Sequence, residues 1–296
     1  MYRFIIILTI LALALTACGG QSASPSGTVA PVILTSTSFL ADITRHIAGD
    51  RQTVATLLPL GADPHSYQPT PQDVTNISQS KVLIINGADY EHFLEPILEN
   101  AGGEREVVEA SAGITPRAEA GSVDPHMWLD PNNVIVYVEN IREALTHFDP
   151  EGAAVYQSNA DAYITELKSL DVWIVEQVAQ VSPERKLLIT NHEALGYFAA
   201  RYGFTIAGTV IESFSSDASP SAQQMAALID QIKASGAPAI FLDAADNNTF
   251  AQQIADETGV RVVTDLHLES LTGGTPAATY IDMIKNNVTQ IVNALK

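Results

Sequence analysis

The chain of 296 residues has one cysteine, Cys18, so it can close no disulfide of its own and cannot build a cysteine-based zinc finger or ribbon. Positive charge is scarce too. There are 15 Lys and Arg against 34 Asp and Glu, a formal net charge of −19. A nucleic-acid binder leans the other way; the excess reads as an acidic surface that keeps an exported protein soluble. Long apolar runs are missing. The run from Phe4 to Leu15 is shorter than the roughly 20 residues that cross a bilayer. No Gly-x-Ser-x-Gly elbow, P-loop or glycine-rich dinucleotide fingerprint occurs. His192-Glu193 begins like the zinc-protease His-Glu-x-x-His, but the fifth position is Gly196. The enzyme classes with these signatures are therefore disfavoured.

What is there begins at the N-terminus. Arg3 precedes the apolar run, which reads as the core of a secretory signal. Leu15-Thr16-Ala17-Cys18-Gly19-Gly20 follows and resembles a bacterial lipoprotein signal, in which the cysteine is lipidated and becomes the new N-terminus. Cleavage after Ala12-Leu13-Ala14 is the alternative. Gln21 to Gly27 carries no charge and reads as a flexible tether. The expected organisation is a signal at 1–17, a tether at 18–28, an N-terminal lobe at 29–149, a linking helix at 150–182 and a C-terminal lobe at 183–296.

Beyond the tether, short β-rich runs alternate with helical patterns, the mark of a parallel sheet wrapped by helices. Strands are expected at 32–35, 53–58, 81–86 and 106–109, and again at 187–190, 204–210, 239–242 and 260–264. The predicted fold is α/β with two lobes, each a four-stranded parallel sheet with flanking helices, joined by one long helix. Tyr156, Ala160, Tyr163, Leu167, Leu170, Ile174 and Val181 recur at helical spacing on that joining segment. A break near Asp171 would make it two helices instead. Ser219-Pro220 and Thr275-Pro276 are expected to open the last lobe's helices.

Three histidines stand out by their settings. His65 and His126 each follow Asp-Pro, and His192 stands just past a strand. Proline stiffens the backbone around the first two, which suits a ligand held ready for a metal. Glu269 follows the last strand. Three imidazoles and a carboxylate complete a tetrahedral set for zinc or a similar divalent metal, leaving no open position for a catalytic water. His46 and His147 fall in amphipathic helices and His92 at a helix start; His267, close to Glu269, is harder to set aside. Unperturbed imidazoles near pKa ~6.5 would keep metal affinity nearly flat above neutral pH and let it fall below.

The motifs Pro64-His65-Ser66-Tyr67-Gln68-Pro69-Thr70-Pro71, Asp124-Pro125-His126-Met127-Trp128-Leu129-Asp130-Pro131 and His192-Glu193-Ala194-Leu195-Gly196-Tyr197-Phe198, with Tyr280 and Asn287 in the last helix, resemble those of metal-specific solute-binding proteins of bacterial ABC importers. The resemblance runs from Val29 onward. It implies a non-enzymatic, extracytoplasmic, lipid-anchored receptor that captures Zn2+ or Mn2+ and hands it to an integral permease driven by a cytoplasmic ATPase. It also implies a monomer without nucleic-acid partners, with His65, His126 and His192 as ligands. The fourth ligand in that family is usually an aspartate; here the position maps to Glu269, with Asp265 as a rival. The histidine-rich loop of many zinc members has no counterpart in Ser111 to Val123. Three imidazoles and the Irving–Williams order favour zinc over manganese. Two other classes stay open: a secreted zinc hydrolase with Glu269 as base, and an adhesin with a structural metal.

Overall fold

The computed structural model describes residues 32–119 and 122–296. The signal, the tether and Cys18 lie outside the described residues. In the N-terminal lobe, β1 (Ile33–Thr35), β2 (Val54–Thr56), β3 (Val82–Ile85) and β4 (Glu106–Glu109) form one parallel sheet in the order β2-β1-β3-β4. A short antiparallel hairpin, β5 (Ala118–Glu119) and β6 (Ser122–Val123), follows. In the C-terminal lobe, β7 (Leu187–Thr190), β8 (Thr205–Thr209), β9 (Ala239–Asp243) and β10 (Arg261–Leu266) form the second parallel sheet, β10-β9-β7-β8. All eight expected strands are present, within two residues at each end.

The helices are α1 (Ser38–Ala48), α2 (Pro71–Gln79), α3 (Glu95–Asn100), α4 (Pro131–Phe148), α5 (Ala153–Val178), α6 (Gly196–Tyr202), α7 (Ala222–Ser235), α8 (Thr249–Thr258) and α9 (Tyr280–Leu295). Local chemistry sets their ends. Thr70 caps α2 with a reciprocal box to Asp73, and Pro71 sits at the first turn, where its missing N–H costs nothing. Asp130 caps α4 by accepting from Asn132 N–H, with Pro131 in the first turn.

Two expected starts are corrected. α7 opens at Ala222, because Ser221 and Gln224 cap it reciprocally; Ser219-Pro220 lies before it. α9 opens at Tyr280, where the Thr279 hydroxyl accepts from Asp282 N–H, and Thr275-Pro276 lies in the preceding loop. In both cases a later hydroxyl has the N–H it needs within reach. His92 lies in a turn ahead of α3, not in the helix.

α5 is one unbroken helix of 26 residues, about 39 Å long at ~1.5 Å per residue. Its Tyr156, Ala160, Tyr163, Leu167, Leu170 and Ile174 are buried, as the spacing predicts. It packs on α1, α4 and α9. No break occurs at Asp171, whose carboxylate accepts from Asn132 Nδ2 at the start of α4 and from Arg201 Nη2 and Tyr202 Oη on α6, at 3.0, 2.7 and 2.8 Å. One carboxylate on the spine thus ties an N-terminal helix to a C-terminal one. Burial alone would raise its pKa; these donors outweigh it and hold the group below the ordinary carboxylate value.

Candidate metal centre

Both sheets are parallel, so every strand of a lobe ends on the same edge, where loops collect ligands. His65 lies on the loop after β2. Its own N–H donates to Asp63 Oδ1 at 2.9 Å, while Asp63 Oδ2 accepts from Ser66 Oγ at 3.0 Å and from Ser216 Oγ of the other lobe at 2.7 Å. His126 repeats the device. Its N–H donates to Asp124 Oδ1 at 3.0 Å, and its Nδ1 lies 2.9 Å from the same oxygen. In each Asp-Pro-His, the aspartate two residues back therefore fixes the histidine backbone by a local turn, a signal present in the sequence but credited there to the proline. His192 follows β7, its carbonyl accepting from Thr190 Oγ1 at 2.6 Å and from Ala194 N–H at 2.9 Å.

Glu269 follows β10 on a loop held from both sides. Trp128 Nε1–H donates to the Leu268 carbonyl at 2.7 Å, Leu271 N–H to Ser38 Oγ at 2.9 Å, and Gly61 N–H to Ser270 Oγ at 2.7 Å. On the C-terminal side, Asp243 accepts from Leu268 N–H. Asn287 accepts from His267 N–H at 2.8 Å and donates to its carbonyl at 2.7 Å. Tyr280 Oη donates to the Trp128 carbonyl at 2.6 Å. Tyr280 and Asn287, matched to the last helix by resemblance, thus act on the supports of the Glu269 loop.

His65, His126, His192 and Glu269 converge, each offering one ligand atom within 4.8 Å of the others. Glu269 Oε1 lies 3.0 Å from His65 Nε2, 3.2 Å from His192 Nε2 and 3.5 Å from His126 Nε2. The Nε2 atoms of His126 and His192 are 3.3 Å apart. A tetrahedron with metal–nitrogen bonds of about 2.0–2.1 Å has edges of about 3.3–3.4 Å, so these separations fit one such ion. All four side chains are shut from solvent, none more than 4 % exposed. Two facing Nε2 atoms cannot both point a proton at each other; a cation satisfies both lone pairs. The contact of His126 Nδ1 with Asp124 presents its Nε2 inward.

The electrostatics favour a cation. Burial alone would raise the Glu269 pKa; the three imidazoles outweigh it and hold the carboxyl well below its ordinary range. For His126, burial lowers the pKa, but Asp124 and Glu269 push it up to about 9. Asp243 is pushed up to about 7 by burial and then by Glu269. Tyr90 closes the cluster, its ring edge-on to His65 at 5.3 Å. It follows Ala88 and Asp89, which hold left-handed backbone angles (φ 54° and 59°). Their turn is pinned by Glu91, whose buried carboxylate accepts from Ser36 Oγ and from the N–H groups of Asn86 and Gly87. A cavity of about 1160 Å³ opens beside His65, with Asp89, Glu193 and Glu212 among its lining.

The remaining histidines stay outside the cluster. His46 stacks on Tyr163 at 4.4 Å, His147 pairs with Glu106 at 3.0 Å, and His92 lines the cavity. His267 contributes its backbone to Asn287. Asp265 is exposed on β10, its carbonyl accepting from Asn286, and is not one of the converging groups.

Fold and site together define a two-lobed binding protein with a buried centre for one divalent metal. A family model described as zinc-uptake complex component A, periplasmic, matches residues 33–294, and the chain belongs to this family of metal-binding components of ABC transporters. It is a solute-binding protein and not an enzyme. It is 34% identical to the manganese-binding lipoprotein MntA of Halalkalibacterium halodurans, over 99% of this chain and 98% of that one. The iron-binding protein YfeA of Yersinia pestis is 32% identical over 88% of this chain and 84% of its own length. Among solved structures, the manganese-bound periplasmic metal-binding protein of Candidatus Liberibacter asiaticus superposes with a TM-score of 0.80 at 30% identity, covering 90% of this chain and 100% of that one. The periplasmic zinc-binding protein TroA of Treponema pallidum gives a TM-score of 0.84 at 27% identity, covering 90% and 99%.

Proposed function

We propose that this chain is the extracytoplasmic capture subunit of a divalent-metal importer, that His65, His126, His192 and Glu269 are its four ligands, and that zinc is the ion it holds most tightly. The observation that carries this is the buried convergence of three imidazoles and one carboxylate within 4.8 Å of one another, with Glu269 Oε1 3.0–3.5 Å from all three Nε2 atoms. Zinc stands above manganese and iron in the Irving–Williams order at such a site. The acids lining the cavity beside His65 draw cations toward it. Cys18 serves as a lipid anchor, residues 18–28 as the tether, 29–149 and 183–296 as the lobes and 150–182 as the link between them. The monomer delivers its cargo to an integral permease coupled to a cytoplasmic ATPase.

A second reading takes manganese as the physiological cargo. It is favoured by the likeness to MntA and to a manganese-bound neighbour. Bidentate Glu269 would supply the higher coordination number that manganese accepts. Metal analysis of protein purified without added metal, then zinc–manganese competition, separates the two. Zinc bound at one ion per chain, undisplaced by excess manganese, supports the first reading. Manganese as the ion retained from cells supports the second.

A further inference from the structure

Two acids of the C-terminal lobe lie behind the site and are not part of the converging set. Asp243 ends β9, the neighbour of both β7 and β10, the strands that lead to His192 and Glu269. Its Oδ2 accepts the N–H of Leu268, the residue before Glu269, and its Oδ1 accepts Ala245 N–H at 2.8 Å. Asp246 lies on the turn that follows. Its Oδ2 accepts Asp243 N–H at 2.8 Å, and its Oδ1 accepts Asn191 Nδ2 at 2.7 Å. Asn191 is the residue before His192, is only 6% exposed, and its carbonyl accepts Ile211 N–H at 2.7 Å. One continuous run of hydrogen bonds therefore joins the backbone beside one ligand to the residue beside the other: Leu268, Asp243, Asp246, Asn191.

Buried carboxylates are costly unless several donors satisfy them. Asp243 is 5% exposed and close to Glu269, whose charge disfavours its own. A fold that needed only stability would fill this place with an apolar side chain at lower cost. What the two acids supply is geometry. The sheet register shifts between Val263 and Leu266 on β10 and between Leu188 and Ile189 on β7, and regular pairing resumes only at Leu266 and at Ile189–Thr190, close to the two ligand positions. The hydrogen-bonded run adds side-chain ties at Leu268 and Asn191, just beyond the last strand pairs at Leu266 and Thr190.

We infer that Asp246, acting through Asp243 and Asn191, is a positioning residue that sets the spacing of His192 and Glu269 and hence the fit of the site to its ion. This rests on the ligand assignment proposed above.

The test uses the full chain and three variants. Asp246→Ala removes both acceptors. Asn191→Ala cuts the same run from the other end. Asp246→Asn removes the charge but preserves the geometry, because the Asn191 amide can turn to accept from the new amide while the retained oxygen accepts Asp243 N–H. Outer support of a ligand contributes about 10–100-fold in metal affinity. Asp246→Ala and Asn191→Ala should each weaken zinc binding by about that factor, while Asp246→Asn stays within about threefold of the parent. Cobalt(II) provides the readout that mere destabilisation does not move: both alanine variants should change its visible absorption, and Asp246→Asn should not. Parent-like zinc affinity and cobalt spectrum in the alanine variants overturn the inference. Loss in Asp246→Asn as large as in Asp246→Ala overturns it as well, by making charge and not position the contribution. If Asp246→Ala does not fold, Asn191→Ala decides alone. A parent protein that binds no metal would instead defeat the ligand assignment.

Discussion

The Trp128 indole donates its Nε1–H to the carbonyl of Leu268, 140 positions away in the chain and one residue before Glu269. Trp128 is fully buried, stacks on Phe39 at 4.6 Å and lies 5.3 Å from the His126 ring. An N-terminal side chain thus holds the loop that carries Glu269. Trp128→Phe keeps most of the packing and removes that bond, worth about 0.5–1.5 kcal/mol in stability. The expected result in a chelator-competition titration is a folded protein with zinc affinity reduced about 10-fold. Unchanged affinity would show that the other holds on the loop suffice.

Glu269 and Asp265 make opposite predictions. Glu269→Ala removes a group 3.0–3.5 Å from all three imidazoles and should cost at least about 100-fold in zinc affinity. Asp265→Ala changes a side chain outside the cluster and should leave affinity within about twofold of the parent. The same competition assay on both variants decides between them; equal losses would reopen the choice of fourth ligand.

Gly196 is a place where a methyl group cannot fit. A Cβ there would stand 2.7 Å from Asp124 Oδ2 and 3.0 Å from Arg117 Nε. Gly196→Ala should displace Asp124 and, through it, the Nδ1 contact that orients His126. Alanine favours the helix by up to about 1 kcal/mol, so α6 should persist while zinc affinity falls about 10-fold or more. Thermal denaturation beside metal titration separates the two effects.

The pH dependence follows from His126. In the metal-free protein its pKa is pushed up to about 9, since Asp124 and Glu269 outweigh burial. Metal needs the Nε2 lone pair, so binding expels that proton at any pH below about 9. Apparent zinc affinity should climb by about one log unit per pH unit from neutral to about pH 9, then level off. This departs from the plateau above neutrality that unperturbed imidazoles would give. For the empty fold, the same shift is stabilising below about pH 6.5 and its contribution is lost as pH rises through about 9. Competition titrations across this range check the slope; a flat line from neutral to pH 9 would contradict it.

Much of this was legible in the sequence because strong local signals carried it. Most strand expectations rested on a compact β-rich run, and the α5 face on a repeat sustained from Tyr156 to Ile174. The two Asp-Pro-His settings flagged histidines that the fold brings together. Less legible were α3, α6 and α8, of 6, 7 and 10 residues, too short for a helical repeat to declare itself. The starts of α7 and α9 were misplaced because proline competed with nearby Ser221 and Thr279 caps. The supports of the site, such as Asp243 and Leu268, join residues distant in the chain, and a single sequence does not pair them.

Metal removal addresses the structural-metal alternative. The core clusters are apolar and continue through both lobes without His65, His126, His192 or Glu269. Chelation should leave far-ultraviolet circular dichroism unchanged. It should lower the melting temperature, because an ion at about 1,000 times its Kd adds about 4 kcal/mol to stability. Loss of helical signal on chelation would favour the structural role.

The most direct measurement is zinc K-edge X-ray absorption on the protein loaded with one equivalent of zinc. The account predicts three imidazole nitrogens and carboxylate oxygen at about 2.0–2.2 Å, with no water. Two or fewer imidazoles, or a coordinated water in place of Glu269, would contradict a closed centre built from His65, His126, His192 and Glu269.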